Sequence, residues 1–287
     1  MKIQFDKAHA DIYEFDNGTE VKEYHVMIHV DDCTLAYAEQ LEAVLDTYNS
    51  LIEGELRGAR CIIKRYFLSD AANQADDIIV NDMTDCAKSI IQQAPLDGTK
   101  IALWVYLMTN VQTGIGKSGL YEVRHGDFRH LWNGSASNMA TNSEYQTRLL
   151  FNEYNMQLLE EISQEQITYL YAPKYMNRTS DYGVSFERGT RVDYQDRRHV
   201  FISGTASINN KGEILYPKDI RRQTHRMWEN VEALLAEAEC TYEDVAHMIV
   251  YLRDPADYHV VKQLYEERFH GKPYVIVHAP VAIPTGW

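Results

Sequence analysis

The sequence is short of positive charge, of paired cysteines and of long apolar runs, and each shortage removes a class of function. Its 28 Lys and Arg stand against 42 Asp and Glu, a formal net charge of −14. A broad nucleic-acid-binding face draws most of its affinity from clustered Lys and Arg, so that class is excluded, though a local basic pocket is not. The four cysteines (Cys33, Cys61, Cys86, Cys240) are scattered, with no CxxC and no Cys/His spacing suited to zinc. Buried, reduced thiols are the expectation, and they suit a cytoplasmic location. No stretch reaches the ~18 apolar residues of a membrane span. The N-terminus, MKIQFDKAHADIYEF, has no apolar signal core. The 20 tyrosines are spread along the chain and form no stacking platform for bases.

What is present is the composition of a globular protein, with 45% hydrophobic and 24% charged residues over 287 positions. That length holds one large domain or two ordinary ones. Glu23 to Val30 alternates as a strand, and Thr34 is placed to cap a helix. Leu35, Ala38, Leu41, Leu45, Tyr48 and Ile52 would share its buried face, and Gly54 and Gly58 end it. Residues 59–68 predict a strand, 71–92 a second helix and 101–107 a further strand. Residues 110–120 are Gly-rich but lack Walker spacing, and read as a linker. A strand through Trp132 and a helix from Ser143 to Glu161 come next. Then follow a hairpin over 184–192 and 199–203, helices over 218–239 and 257–269, and strands over 245–252 and 274–277. This alternation predicts mixed sheets with helices packed on one face.

Two echoes suggest internal repetition. Residues 198–207 (RHVFISGTAS) and 129–137 (RHLWNGSAS) are alike, each followed by a helix pattern with an early glutamine, Gln223 or Gln146. Ile63 to Asp70 likewise echoes Met248 to Asp254. His130 and His199 hold equivalent places, which predicts a shared structural hydrogen bond. Trp132 and Phe201 are equivalent too and read as core.

The segment Ile202-Ser203-Gly204-Thr205-Ala206-Ser207 is followed by Lys211-Gly212-Glu213, Gln223 and Trp228-Glu229-Asn230-Val231. With Val250-Tyr251-Leu252-Arg253-Asp254 and Tyr265-Glu266 it resembles the Rid/YjgF family over about residues 184–280. Residues 60–107 and 127–161 resemble the less typical units of tandem members, of which the chorismatases are the best-known enzymes. The resemblance implies an α+β fold of repeated Rid/YjgF-like (chorismate-mutase-like) units. It divides the chain into a divergent unit over 1–119, a partial unit over 120–161 and a C-terminal unit over 162–287. It further implies a homo-trimer or an intrachain pseudo-trimer, with ligand pockets between units. The implied partner is a small carboxylate metabolite, not nucleic acid or membrane, and the chemistry needs no cofactor or metal. Small family members hydrolyse imine or enamine acids, an arginine gripping the carboxylate and a last-strand glutamate positioning water.

Carried over residue by residue, the resemblance makes Ser203 and Gly204 the catalytic candidates, Gly204 allowing close backbone approach. Phe186, Thr205 and Tyr274 are the expected pocket neighbours, and Lys262 stands where small members carry a polar pocket residue. The family arginine is replaced by Val275, the alternative place near Ile283 has none, and the glutamate-bearing last strand would lie beyond Trp287 or not exist. Loss of a bidentate carboxylate contact costs about 2–4 kcal/mol of binding. Arg188 or Arg198 is therefore the replacement candidate. Plainer readings stand beside these: Arg188 as an exposed hairpin charge partnered with Glu187, Lys262 as a solvated helix lysine, and the Ser203 hydroxyl satisfying a backbone group. The function expected is binding of a small carboxylate at an inter-unit cleft, with imine/enamine deamination or chorismatase-like hydrolysis. The alternative is a non-catalytic binding or assembly protein.

Overall fold

The structure, a computed structural model, describes residues 1–116, 120–126, 128–134, 166–182 and 186–279. The predicted helix over 143–161, the Ile283 region and the start of the 184–192 strand lie outside these. The chain forms two compact units, the first made of 1–162, 246–255 and 271–287, the second of 163–245 and 256–270.

The first unit is built on a six-stranded sheet of order β1-β2-β3-β6-β4-β5. Its strands are β1 (Lys2–Gln4), β2 (Ala8–Phe15), β3 (Glu23–Val30), β4 (Arg60–Leu68), β5 (Ala87–Gln92) and β6 (Ile101–Met108). Neighbours are antiparallel except β4 and β5, which run parallel, so the sheet is mixed. Helices α1 (Tyr37–Glu53) and α2 (Ala71–Asn81) belong to this unit. Helix α1 buries Leu41, Val44, Tyr48 and Leu51 in the core that Ile12, Val26, Ile28, Tyr66 and Leu103 share. Apolar residues at helical spacing meeting a β-branched and aromatic sheet explain this layer.

The sheet's opposite face carries Met27, Ile63, Phe67, Trp104 and Tyr106, in one cluster with Val275 and Val277 of β14 (Tyr274–His278). Strand β14 pairs in parallel with β13 (Met248–Leu252). A small antiparallel sheet of β7 (Gln112–Ile115), β8 (Tyr121–His125) and β9 (Phe128–Trp132) completes the unit. Two expectations fail here. The helix predicted over 71–92 stops at Asn81 and gives way to β5, and the linker over 110–120 contains β7.

The second unit has a three-stranded antiparallel sheet of β10 (Ile167–Leu170), β11 (Gly189–Asp193) and β12 (Arg198–Ile202). Helix α3 (Ile220–Glu237) packs Leu234 and the following Ala238 against Leu170 and Met176. Helix α4 (Tyr258–Arg268) buries Tyr258, Val261, Leu264 and Tyr265, the face its spacing predicts. Trp228 of α3 meets Tyr265 and Phe269 edge-on, each at 5.3 Å between ring centroids. Phe201, expected in the core, is 55% exposed. The protein is thus α+β, with one mixed six-stranded sheet, two antiparallel sheets and one parallel strand pair among the described residues. Among the described residues no helix is long and apolar enough to cross a membrane.

Candidate functional site

The site named from the sequence forms at the exit of β12. Gly189 pairs with Ile202, so the residues before β11 lie beside those after β12. The Ser203 amide continues the ladder to the Arg188 carbonyl at 3.0 Å. Its hydroxyl donates to the Glu187 carbonyl at 2.6 Å. The backbone-satisfying reading of Ser203 is what the geometry shows, and the oxygen keeps its capacity to accept. The chain then leaves the sheet at Gly204. No heavy atom lies within 4 Å of where a side chain on Gly204 would begin. The Thr205 hydroxyl donates back to the Ser203 carbonyl at 3.0 Å. The amides of Gly204 and Thr205 make no backbone hydrogen bond among the described residues, and Gly204 is exposed while Thr205 is half-buried.

Arg188 is not the surface charge of the plainer reading; it is only 3% exposed. Its Nε and Nη2 donate to the Asn177 carbonyl at 3.2 and 3.0 Å, and Nη2 also to Asn177 Oδ1 at 3.1 Å. The Phe186 ring lies 5.8 Å from the guanidinium carbon. A cation drawn inside and turned onto a carbonyl is oriented, and Asn177 takes several of its donors. Arg198 sits at the opposite end of β12. It donates to Asp193 at 2.6 Å, to the Ala238 carbonyl at 2.8 Å and to Glu239 at 2.9 Å. The hydrogen bond from Arg198 holds the Asp193 carboxyl below its usual range. Lys262 on α4 is half-buried, 3.7 Å from Glu266, and Tyr274 lies on β14 in the first unit. Ser203, Gly204, Thr205, Phe186 and Arg188 therefore come together, while Arg198 lies at the other end of β12, Lys262 lies on α4 and Tyr274 belongs to the first unit.

Sequence reasoning missed two clusters in the first unit. The Lys64 ammonium is wholly buried, 2.9 Å from Asp82 and 2.8 Å from the Thr84 hydroxyl, with the Tyr48 ring centroid at 3.5 Å. Tyr66 donates to the second Asp82 oxygen at 2.8 Å. Burial works to raise the Asp82 carboxyl, but Lys64, Thr84 and Tyr66 outweigh it and hold it low. Burial and the Asp82 charge push the Tyr66 phenol far above its ordinary value. On the other sheet face His25 and Trp104 stack with His247 at 5.0 and 4.4 Å, with Arg65 5.8 Å from the indole. Burial, with repulsion from His25 and Arg65, holds His247 well below the usual histidine range. His25, Arg65 and Trp104 are set on neighbouring strands by register, a signal that needs the strand pairing first.

The family model for endoribonuclease L-PSP matches residues 191–285. Over that region the chain is similar to the Rid/YjgF superfamily. A RutC family protein of Pyrococcus abyssi is 35% identical over 75 residues, which are 26% of this chain and 59% of that protein. The 3-aminoacrylate deaminase RutC of Acinetobacter baylyi is 30% identical over 70 residues, 24% of this chain and 56% of that protein. The chain thus spans somewhat under three fifths of the length of these two relatives. Among solved structures, E. coli TdcF with bound serine aligns with a TM-score of 0.34 and 22% identity, over 41% of this chain and 89% of TdcF. A chorismatase structure aligns over 94% of this chain and 72% of its own, at 13% identity and a TM-score of 0.36. Within the Rid/YjgF match lie Arg198, Ser203, Gly204, Thr205, Lys262 and Tyr274; Phe186 and Arg188 precede it.

Proposed function

We propose that this protein binds a small carboxylate metabolite at the turn leaving β12, the amides of Gly204 and Thr205 facing the carboxylate and Ser203 orienting it. The observation that carries the reading is a pair of successive backbone donors without a backbone partner among the described residues, at a turn inside the Rid/YjgF match. Successive backbone N–H groups form a good anion cradle without a formal charge. Phe186 offers an apolar wall, being 39% exposed, and Arg188 adds positive potential from behind. The ligand class is a 2-imino, enamine or 2-oxo acid, in line with the deaminase name of the Acinetobacter relative. Hydrolysis of such an acid to a keto acid and ammonia is the reaction this site would run, Ser203 holding the attacking water. Tandem units and trimeric assembly, implied by the family resemblance, belong to the same proposal.

A second reading, binding without turnover, rests on the arginines: Arg188 is committed to Asn177, and Arg198 to Asp193 and Glu239. The test is an assay of the 287-residue protein with enzymatically generated 2-aminoacrylate and, separately, chorismate, following keto-acid release. Turnover lost in Ser203→Ala supports the hydrolase. No turnover beside an active relative leaves binding alone, and turnover unchanged in Ser203→Ala contradicts the assignment of the site.

A further inference from the structure

The first unit holds a pair of thiols that the β12 site does not use. Cys61 is in β4 and buried, and Cys86 immediately precedes β5 and is half-buried. Strands β4 and β5 are parallel neighbours with Ile63 opposite Ala87, which brings the residues just before these positions side by side. The pairing of β4 with β6 slips between Cys61 and Ile63, leaving Ile62 as the extra residue. That bulge rotates Cys61 onto the helix-covered face, in the core with Tyr48 and Tyr66, where Cys86 also packs. Unbulged alternation would put Cys61 and Lys64 on opposite faces. With the bulge, both thiols lie in the field of the buried Lys64 ammonium.

The two thiols interact and are not equivalent. The interaction with Cys61, aided against burial by Lys64, pulls the Cys86 thiol below its ordinary value. Burial pushes the Cys61 thiol well above it. One sulfur is therefore the better thiolate and the more accessible, and the other is a thiol held beside it, the arrangement of an attacking and a resolving cysteine. Adjacent strands stand ~4.8 Å apart, within the ~4.4–6.8 Å Cα separation that a disulfide spans.

We propose that Cys61 and Cys86 are an oxidisable pair that closes to an intrachain disulfide on exposure to a peroxide. The Cys86 thiolate attacks the peroxide oxygen, forming an S–O bond as the O–O bond breaks; the departing hydroxide takes a proton and leaves as water. The Cys61 sulfur then attacks Cys86 sulfenic acid, forming the S–S bond and expelling a second water with the Cys61 proton. The two thiols lose two electrons and the peroxide gains them. Cys33 lies in the loop before α1, and Cys240 follows α3 in the second unit; both are left out of the pair.

The test treats the full-length Cys33→Ser protein, which lacks the exposed thiol, with hydrogen peroxide and blocks free thiols with an alkylating agent. Trypsin cuts after Arg60, Lys64, Arg65 and Lys88, so the expected product without reductant is peptide 61–64 joined to peptide 66–88. The intact chain should lose about 2 Da, one hydrogen from each thiol. Cys86→Ser should leave Cys61 reduced. Oxidation of Cys86 to sulfinic acid beside a free Cys61 would overturn the proposal. So would a disulfide involving Cys240, or thiols unchanged while a surface methionine is oxidised.

Discussion

Asp82→Asn strands a cation in the core of the first unit. In the protein Lys64 has Asp82 at 2.9 Å, the Thr84 hydroxyl at 2.8 Å and the Tyr48 ring at 3.5 Å. The substitution keeps the acceptor's shape and removes its charge, and breaking a buried pair in this way costs about 3–5 kcal/mol. Hydrogen exchange read by mass spectrometry on the peptides of β4 and β6 reports this unit alone. Exchange of their slowest amides should accelerate by about two to three orders of magnitude at pH 7. An acceleration under about fivefold at pH 7 would refute the buried-pair argument.

Other expectations follow from the same physics. Asp82 has a depressed folded-state pKa, so its stabilisation is complete above the unfolded value, about 3.9, and is lost as pH falls through the folded value. Acid titration of the same exchange signal should therefore show a loss below about pH 4 that Asp82→Asn lacks. Burial and its cationic neighbours keep His247 neutral, so its ring proton resonance should show no protonation at about pH 6, where an ordinary histidine is mostly charged. Trp228→Ala removes a ring only 2% exposed and should destabilise the second unit by about 3–5 kcal/mol, read as faster exchange in α3 and α4.

Regular elements were legible where periodicity was long and uninterrupted. Strand β3 runs over Glu23–Val30 as its alternation predicts, and α4 buries the four residues its spacing selects. Local polar competition hid other boundaries. Thr34 turns its hydroxyl to Asp32 at 2.6 Å, so α1 begins later, with Glu39 accepting from the Ala36 amide. Beyond Asn81 no glycine or proline marks the end of α2, and Ala87–Gln92 becomes a strand because β4 offers it a parallel edge. At the candidate site Ser203, Gly204 and Thr205 were legible as one contiguous motif. The burial of Arg188 was not, because its partner Asn177 belongs to a preceding loop that no motif marks. Lys64 likewise looked like a strand lysine, since Asp82 reaches it only after a helix has turned back.

The most direct test of the central claim is an amide-resolved NMR titration of the whole protein with pyruvate, a small 2-oxo acid. The account predicts saturable shifts of the Gly204 and Thr205 amides, with weaker ones at Ser203, and their loss when pyruvate is replaced by its uncharged amide. Shifts confined to other residues, or no saturable change at Gly204 and Thr205 while the protein remains folded, would contradict it.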